Sequence, residues 1–380
     1  MNDDAQALAG QDTIAALASA VGGAVAVLRV SGPLALHAVQ RVWHGKQPLS
    51  EQPARQLSLG RALDENGNVL DHCLAVRFEE PASFTGEDMV EVHCHGGVLA
   101  ARAVLMRLLN AGARHAEPGE FTRRAFINGK MDLTQAEAVA DIVSAHTEMA
   151  LRMANRQLAG GLGREIDKLY NALSHVRSDV EARLDFAEEA LDLMSPADVT
   201  AAIREAERTV SRLLENRREG EILREGVRLV IAGCPNVGKS SLFNAILGRD
   251  RAIVTHLPGT TRDTLEELAH VRGIPIRFID TAGIREAEGL VEKDGVARSL
   301  NSLREAEIVL WIFDVTLPVQ DQMPPDNLKH VPLIPVANKC DCAPDKTVDL
   351  PGCPTTPVHI CALTGDGLDA RFDRIEKTGW

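Results

Sequence analysis

The sequence predicts a chain of several domains in the α+β and α/β classes. An N-terminal α+β domain is expected over residues 1–119, a central helical domain over 120–222, and a phosphate-loop α/β domain with a mostly parallel sheet over 223–380. Three observations predict this. At 380 residues and 45% hydrophobic content the chain can bury more than one core. The apolar pattern changes period twice, from short strand-like runs to helical spacing and then to strands alternating with helices. Finally, a strand at Val227 to Ala232 and a helix at Lys239 to Leu247 flank Gly233-Cys234-Pro235-Asn236-Val237-Gly238-Lys239-Ser240, which has the form and setting of a phosphate loop.

Taken in order, Ile14 to Leu28 is apolar but follows Asp3, Asp4 and Asp12 and contains Gly22-Gly23. A signal peptide carries positive charge there, so a strand, turn and strand is expected. Short runs at Val25 to Val30, Gln56 to Leu59, Cys73 to Phe78 and Met89 to His93 predict strands, and Gly97 to Ala111 predicts a helix. Between Glu120 and Glu225 apolar residues recur at helical spacing, through Val139, Ile142 and Val143 and again through Ile203, Val210 and Leu214, predicting two or three long helices. Ser195-Pro196 reads as a helix start, with Ser195 as the cap and Pro196 in the first turn. Ile276 to Ile279, Ile308 to Phe313 and Leu333 to Ala337 predict further strands of the α/β domain, and its motifs sit at strand C-terminal ends, where such sheets bind ligands.

A formal net charge of −13 excludes a broad basic field over the whole protein, so a nucleic-acid partner needs a local basic patch. Seven cysteines without framework spacing predict reduced thiols in a cytoplasmic protein without a membrane span. His93 and His95 share one strand face but lack a third and fourth ligand, and Cys340, Cys342, Cys353 and Cys361 do not have the spacing of a common zinc site.

The phosphate loop sets the chemistry. Its glycines turn backbone N–H groups of Asn236, Val237, Gly238, Lys239, Ser240 and Ser241 onto phosphate oxygens, helped by the N-terminal dipole of the following helix. Lys239 is expected to reach the β- and γ-phosphates and Ser240 to ligate Mg²⁺. Asp280-Thr281-Ala282-Gly283 offers a carboxylate to the metal's surroundings and a glycine amide to the γ-phosphate. In Asn338-Lys339-Cys340-Asp341, Asp341 can accept from both donors on the guanine edge, Asn338 can bind the base's other edge, and the Lys339 stem can pack on its face. Adenine would leave Asp341 unpaired, which makes GTP the expected substrate. Within Gly259-Thr260-Thr261-Arg262-Asp263, Thr261 or alternatively Thr260 is expected to close on Mg²⁺ and the γ-phosphate.

The residue after Gly283 is Ile284, not the glutamine that orients water in small GTPases. Water must be oriented otherwise. Glu286, Glu288 and Glu292 are candidates, and the Asn236 side chain either holds a monovalent cation or braces its own loop.

These residues resemble the MnmE (TrmE) family of tRNA-modifying GTPases. The likeness runs from about Asp12 to Leu368 and includes Asp12-Thr13-Ile14-Ala15-Ala16, Leu28 to Pro33, Ser83-Phe84-Thr85-Gly86-Glu87-Asp88, His93-Cys94-His95-Gly96-Gly97, Pro118 to Phe126 and Asn128 to Leu133. The resemblance implies an N-terminal domain that dimerises and binds a 5-formyl- or 5,10-methylene-tetrahydrofolate, for which Arg29, Glu87, Arg123 and Lys130 are the candidate residues. It implies a potassium ion held with Asn236, Thr255 and Thr260, water oriented by Glu292, and catalysis completed by Thr261 and Gly283. It further implies a homodimer that works with an FAD protein, MnmG, to place an aminomethyl or carboxymethylaminomethyl group on the wobble uridine of tRNA. Two departures stand out. Cys361-Ala362-Leu363 replaces the family's Ser-Ala motif at the guanine, and the chain ends at Lys377-Thr378-Gly379-Trp380 where the family continues into helices and a Cys-x-Gly-Lys tail. The alternative expectation is therefore a GTPase module that binds and regulates without modifying tRNA.

Overall fold

Alternation of inward and outward side chains builds the N-terminal sheet. In a computed structural model of the chain, the described residues are 12–186, 193–215, 217–249, 267–271, 274–279, 306–325, 328, 331–343, 348–351, 353 and 355–367. They belong to two units, one drawn from residues 1–140 and 156–167 and the other from 141–155 and 168–380.

In the first unit the strands are β1 (Ile14–Leu17), β2 (Val25–Ser31), β3 (Trp43–Gly45), β4 (Ser58–Leu63), β5 (Val69–Phe78), β6 (Met89–His95) and β7 (Arg114–His115). They form one seven-stranded sheet in the order β3-β4-β5-β6-β2-β1-β7. Along β2 the residues Ala26, Leu28 and Val30 are buried, and along β6 Val90, Val92 and Cys94 join them. The helices α1 (Ala35–Gln40) and α2 (Val98–Asn110) cover this face with Ala38, Val39, Ala101, Val104 and Leu108. Each large apolar side chain so buried contributes about 1.5–3 kcal/mol. The expected strand pair at Ile14 to Leu28 is β1 and β2, antiparallel with Leu17 opposite Leu28. The strand expected at Gln56 to Leu59 runs instead over β4, because pairing with β5 carries it on through Gly60. A side chain on Gly60 would collide with the indole of Trp43, whose Nε1 donates to Cys73 O at 3.2 Å.

A charged cluster in this unit has Arg124 and Glu120 buried at its centre and Asp12 and Arg114 partly in solvent. Arg124, on α3 (Glu120–Ile127), is 2% exposed and pairs with Asp12 Oδ1 at 2.6 Å and with Glu87 and Glu120 at 3.2 Å. Arg114 completes the set by donating to both oxygens of Glu120, at 2.6 and 2.8 Å. Those hydrogen bonds, above all from Arg114, hold the Glu120 carboxyl down at about 2. Removing one partner of such a cluster leaves buried charge uncompensated, which costs about 3–5 kcal/mol. Arg124→Leu is accordingly expected to destabilise this unit by that amount, seen as faster hydrogen exchange along β1, β2 and β6. Unchanged exchange would show that the cluster is not structural.

Two or three long helices are expected between Glu120 and Glu225; the described residues hold two, of 25 and 20 residues, together with shorter ones. After α3 come α4 (Leu133–Ser144), α5 (Glu148–Leu158), α6 (Gly161–Asp185), α7 (Pro196–Glu215) and α8 (Arg217–Glu225). Breaks fall where Gly129 and Gly160 take left-handed φ of 68° and 74°. Side-chain caps restart the helices: Asp132 accepts from Gln135 N at 2.8 Å and Thr147 from Ala150 N at 3.0 Å. Ser195 caps α7 as expected, exchanging hydrogen bonds with Asp198 in a capping-box arrangement.

In the second unit, β8 (Val227–Gly233), β10 (Ile274–Phe278), β11 (Ile308–Asp314), β12 (Leu333–Asn338) and β13 (Val358–His359) are parallel, and β9 (Glu267–Val271) is an antiparallel edge. The order is β13-β12-β11-β8-β10-β9. Every residue of β11 is buried, as a strand covered on both faces requires. One face packs Leu229, Ile231, Leu310 and Ile312 against Leu242, Phe243 and Ile246 of α9 (Lys239–Arg249), and the other packs Val230, Val309, Trp311 and Phe313. No helix among the described residues is long and apolar enough to cross a membrane.

Candidate nucleotide-binding site

The C-terminal ends of β8, β11 and β12 bring three loops together. The loop after β8 turns through Gly233, Asn236 and Gly238, with φ of 152°, 62° and 101°, before α9 begins at Lys239. Both glycines are required by close approach. A Cβ on Gly233 would meet Ile312 O on the neighbouring strand, and one on Gly238 would meet Nδ2 of Asn338. Lys239 folds its ammonium back into this loop, donating to Gly233 O at 3.0 Å and Cys234 O at 2.9 Å. Burial lowers its pKa from the usual lysine range. An ammonium held among carbonyl oxygens is poised for an anionic ligand offering better acceptors. Ser240 and Ser241 follow in the first turn of α9, and Val237 is fully buried beneath the loop.

The loop after β12 braces the phosphate loop. Asn338 was expected at the base's edge. Here it is 2% exposed and both ends of its amide are engaged: Nδ2 donates to Val237 O at 2.8 Å and Oδ1 accepts from Ala362 N at 3.0 Å. Lys339 takes a left-handed φ of 63°, a strain a non-glycine residue keeps only where its surroundings hold it. Its ammonium donates to Asn236 O at 3.1 Å and pairs with Asp314 Oδ2 at 2.7 Å. Burial pushes the Asp314 carboxyl up, but hydrogen bonds from Lys339 and Thr316 outweigh it and the net shift is downward. Asp341 is exposed, and a hydrogen bond from the Cys361 thiol, with a second from Cys342, lowers its pKa. Ionised and facing solvent, it is an acceptor awaiting donors. Asp314 was missed from sequence. Its only signal is its place at the end of β11.

Of the predicted site residues, Asn236, Val237, Gly238, Lys239, Ser240, Ser241, Asn338, Lys339, Asp341, Cys361 and Ala362 lie at the C-terminal ends of β8, β12 and β13 and at the start of α9. Thr255, Thr260, Thr261, Asp280, Gly283 and Glu292 lie outside the described residues.

In the first unit, the four residues expected at a folate lie around the 81–87 loop and α3. The Arg29 guanidinium sits over the rings of Phe84 and Phe121, at 4.9 and 5.6 Å, and pairs with Glu91 at 2.8 Å. Glu87 accepts from Ser31 Oγ at 2.8 Å and from Arg124. Lys130 donates to Pro81 O at 2.8 Å, and Arg123 pairs with Glu117 at 3.4 Å with most of its side chain in solvent. Arg124 was not predicted, because its role depends on Asp12 and Glu87, far away in the chain.

Comparison with known proteins gives a consistent answer. Residues 13–130 match the family described as GTP-binding protein TrmE N-terminus, and residues 133–379 match the MnmE helical domain. The tRNA modification GTPase MnmE of Geobacter sulfurreducens is 44% identical over 377 residues, covering 97% of this chain and 81% of the relative. Its namesake in Akkermansia muciniphila is 43% identical over 358 residues, with 93% and 78% covered. That of Aquifex aeolicus is 40% identical over 371 residues, with 97% and 82% covered.

Proposed function

Since the chain belongs to the MnmE family of tRNA modification GTPases, we propose that it hydrolyses GTP to GDP and phosphate in the course of modifying the wobble uridine of tRNA. The observation that carries this reading is the brace of Asn338 and Lys339 on the phosphate loop, which leaves the Asp341 carboxylate as the open group beside it. Lys239 exchanges its loop carbonyls for phosphate oxygens, and Asp341 accepts from the guanine edge. Ser240 and Thr261 would hold Mg²⁺, and Asn236, Thr255 and Thr260 would hold K⁺; the two ions would supply positive charge to offset that of the phosphates. Asp280 would serve the metal and Gly283 the γ-phosphate, and Glu292 would orient the attacking water.

The first unit holds the one-carbon donor. Arg29, flanked by two phenyl rings, fits a flat heteroaromatic ligand, and the charges of Arg123 and Lys130 fit a glutamate tail. Glu87 is fixed by Ser31 and Arg124 and orients the ligand. When bound, the tetrahydrofolate supplies the carbon that is added at uridine C5. The protein acts as a cytoplasmic homodimer with an FAD-containing, MnmG-like partner.

The test is turnover in matched buffers. GTP but not ATP is hydrolysed, and K⁺ in place of Na⁺ raises the rate by about tenfold or more, because a cation replaces the charge an arginine finger provides elsewhere. Equal rates in the two salts would remove the potassium assignment while leaving the GTP site standing.

A further inference from the structure

Asp314 joins the nucleotide site to the core of the sheet. It closes β11 opposite Asn338 of β12, is 3% exposed, and is followed by Val315, whose N donates to Asn338 O at 3.1 Å. The side chain is held from both sides. Oδ1 accepts from Thr316 N at 2.8 Å and from Thr316 Oγ1 at 2.6 Å, while Oδ2 pairs with the Lys339 ammonium at 2.7 Å. Its backbone is fixed as well, by a buried Gln322 whose Oε1 accepts from Asp314 N at 2.7 Å and whose Nε2 donates to Asp314 O at 3.0 Å. A carboxylate this deep is costly unless it is paired, and Thr316 supplies hydrogen bonds without charge. The pairing charge is that of Lys339. Lys339 in turn spans two loops: its ammonium also reaches Asn236 O of the phosphate loop at 3.1 Å, and its backbone keeps a left-handed φ of 63°.

We propose that Asp314 is a positioning residue for guanine-nucleotide binding that acts through Lys339, fixing the ammonium between itself and Asn236 O so that the Lys339 stem is set for the base before nucleotide arrives. This rests on the GTP-site reading above. Thr316 and Gln322 order the carboxylate in advance, so presenting Oδ2 to Lys339 costs no further ordering. Without that charge the ammonium loses a charge-assisted hydrogen bond, and the long side chain regains its rotamers. The left-handed turn at Lys339 also loses one of the contacts that hold it. The base then docks on a stem that must be ordered at the moment of binding, and affinity falls. Asp314 does not reach the phosphates itself. Its loss therefore weakens binding of GTP and GDP more than it slows the turnover of bound GTP.

The experiment is a double-mutant cycle on the whole chain, read by equilibrium binding of a fluorescent GDP analogue and by steady-state GTP hydrolysis. Asp314→Asn keeps an acceptor for Thr316 and removes the charge that Lys339 needs. It is expected to lower GDP affinity by about tenfold and to raise KM for GTP by a similar factor, while kcat falls by less than about threefold. Lys339→Met, which keeps the stem and drops the ammonium, is expected to lose at least as much affinity and serves on its own should Asp314→Asn fail to fold. In the Lys339→Met background, adding Asp314→Asn costs less than about twofold or restores affinity, because the carboxylate has nothing left to act through. The same loss in both backgrounds would make Asp314 a support of its own turn and overturn the proposal. So would parental affinity in either single variant. Failure of the parent chain to bind GDP overturns the nucleotide reading and this proposal together, whereas parental binding that Asp314→Asn leaves unchanged overturns this proposal alone.

Discussion

Lys239→Ala is expected to reduce GTP turnover by about 10²–10³-fold, the loss seen when one preorganised donor to developing charge is removed. Lys239 lies half-buried inside the loop it serves, bonded to Gly233 O and Cys234 O. Those neutral acceptors hold it in place without neutralising it, and phosphate oxygens reward the same ammonium with charge-assisted hydrogen bonds worth about 1.5–3 kcal/mol each. Part of that energy is already present when GTP binds, so affinity falls as well, by about tenfold. The remainder is realised as charge shifts toward the β–γ bridge, so the rate falls further than binding. The variant should fold, because the packing of α9 rests on Leu242, Phe243 and Ile246, none of which Lys239 supports. Single-turnover hydrolysis with saturating GTP separates the two effects. A rate within threefold of the parent would deny Lys239 its place at the phosphates.

Elements whose cause is local were legible in the sequence. β8, β11 and β12 are β-branched and apolar runs, and Ser195 with Asp198 announces α7 before any fold is known. Asp132 with Gln135 carried the same kind of signal and still passed unread, because helical spacing on both sides suggested continuity across the break at Gly129. The phosphate loop was legible for the same reason as β8: its glycines, lysine and serine stand within one stretch. What could not be read was the bracing. Asn338 and Val237 are 101 residues apart, and only the adjacency of β8, β11 and β12 makes a buried amide there serve two loops at once. The Lys339–Asp314 pair likewise needs the left-handed turn at Lys339, which nothing in the chain's local preferences requests. The Arg124 cluster is the extreme case. It joins Asp12, Glu87 and Glu120 across the first unit, and each partner taken alone reads as a surface charge.

Asp341→Asn should convert the site from guanine to xanthine. Guanine offers two donors on its edge, the ring N1–H and the exocyclic amine, and a carboxylate with two acceptor oxygens can take both. An amide keeps one acceptor and sets a donor against the exocyclic amine, so one hydrogen bond is lost and two donors oppose each other. A polar site mismatched in this way rejects its former ligand by far more than the worth of one bond, and GTP affinity is expected to fall by about 10²–10³-fold. Xanthine keeps N1–H but carries a carbonyl where guanine has the amine, which is the pattern an asparagine side chain matches. Xanthosine triphosphate should therefore bind the variant at least about tenfold more tightly than GTP does. The side chain at 341 is exposed, so the exchange leaves the core untouched, and the brace of Asn338 and Lys339 on the phosphate loop is unaffected. Competition between the two nucleotides on the same preparation makes the result independent of how much protein is active. If the preference does not reverse, base reading belongs to another group.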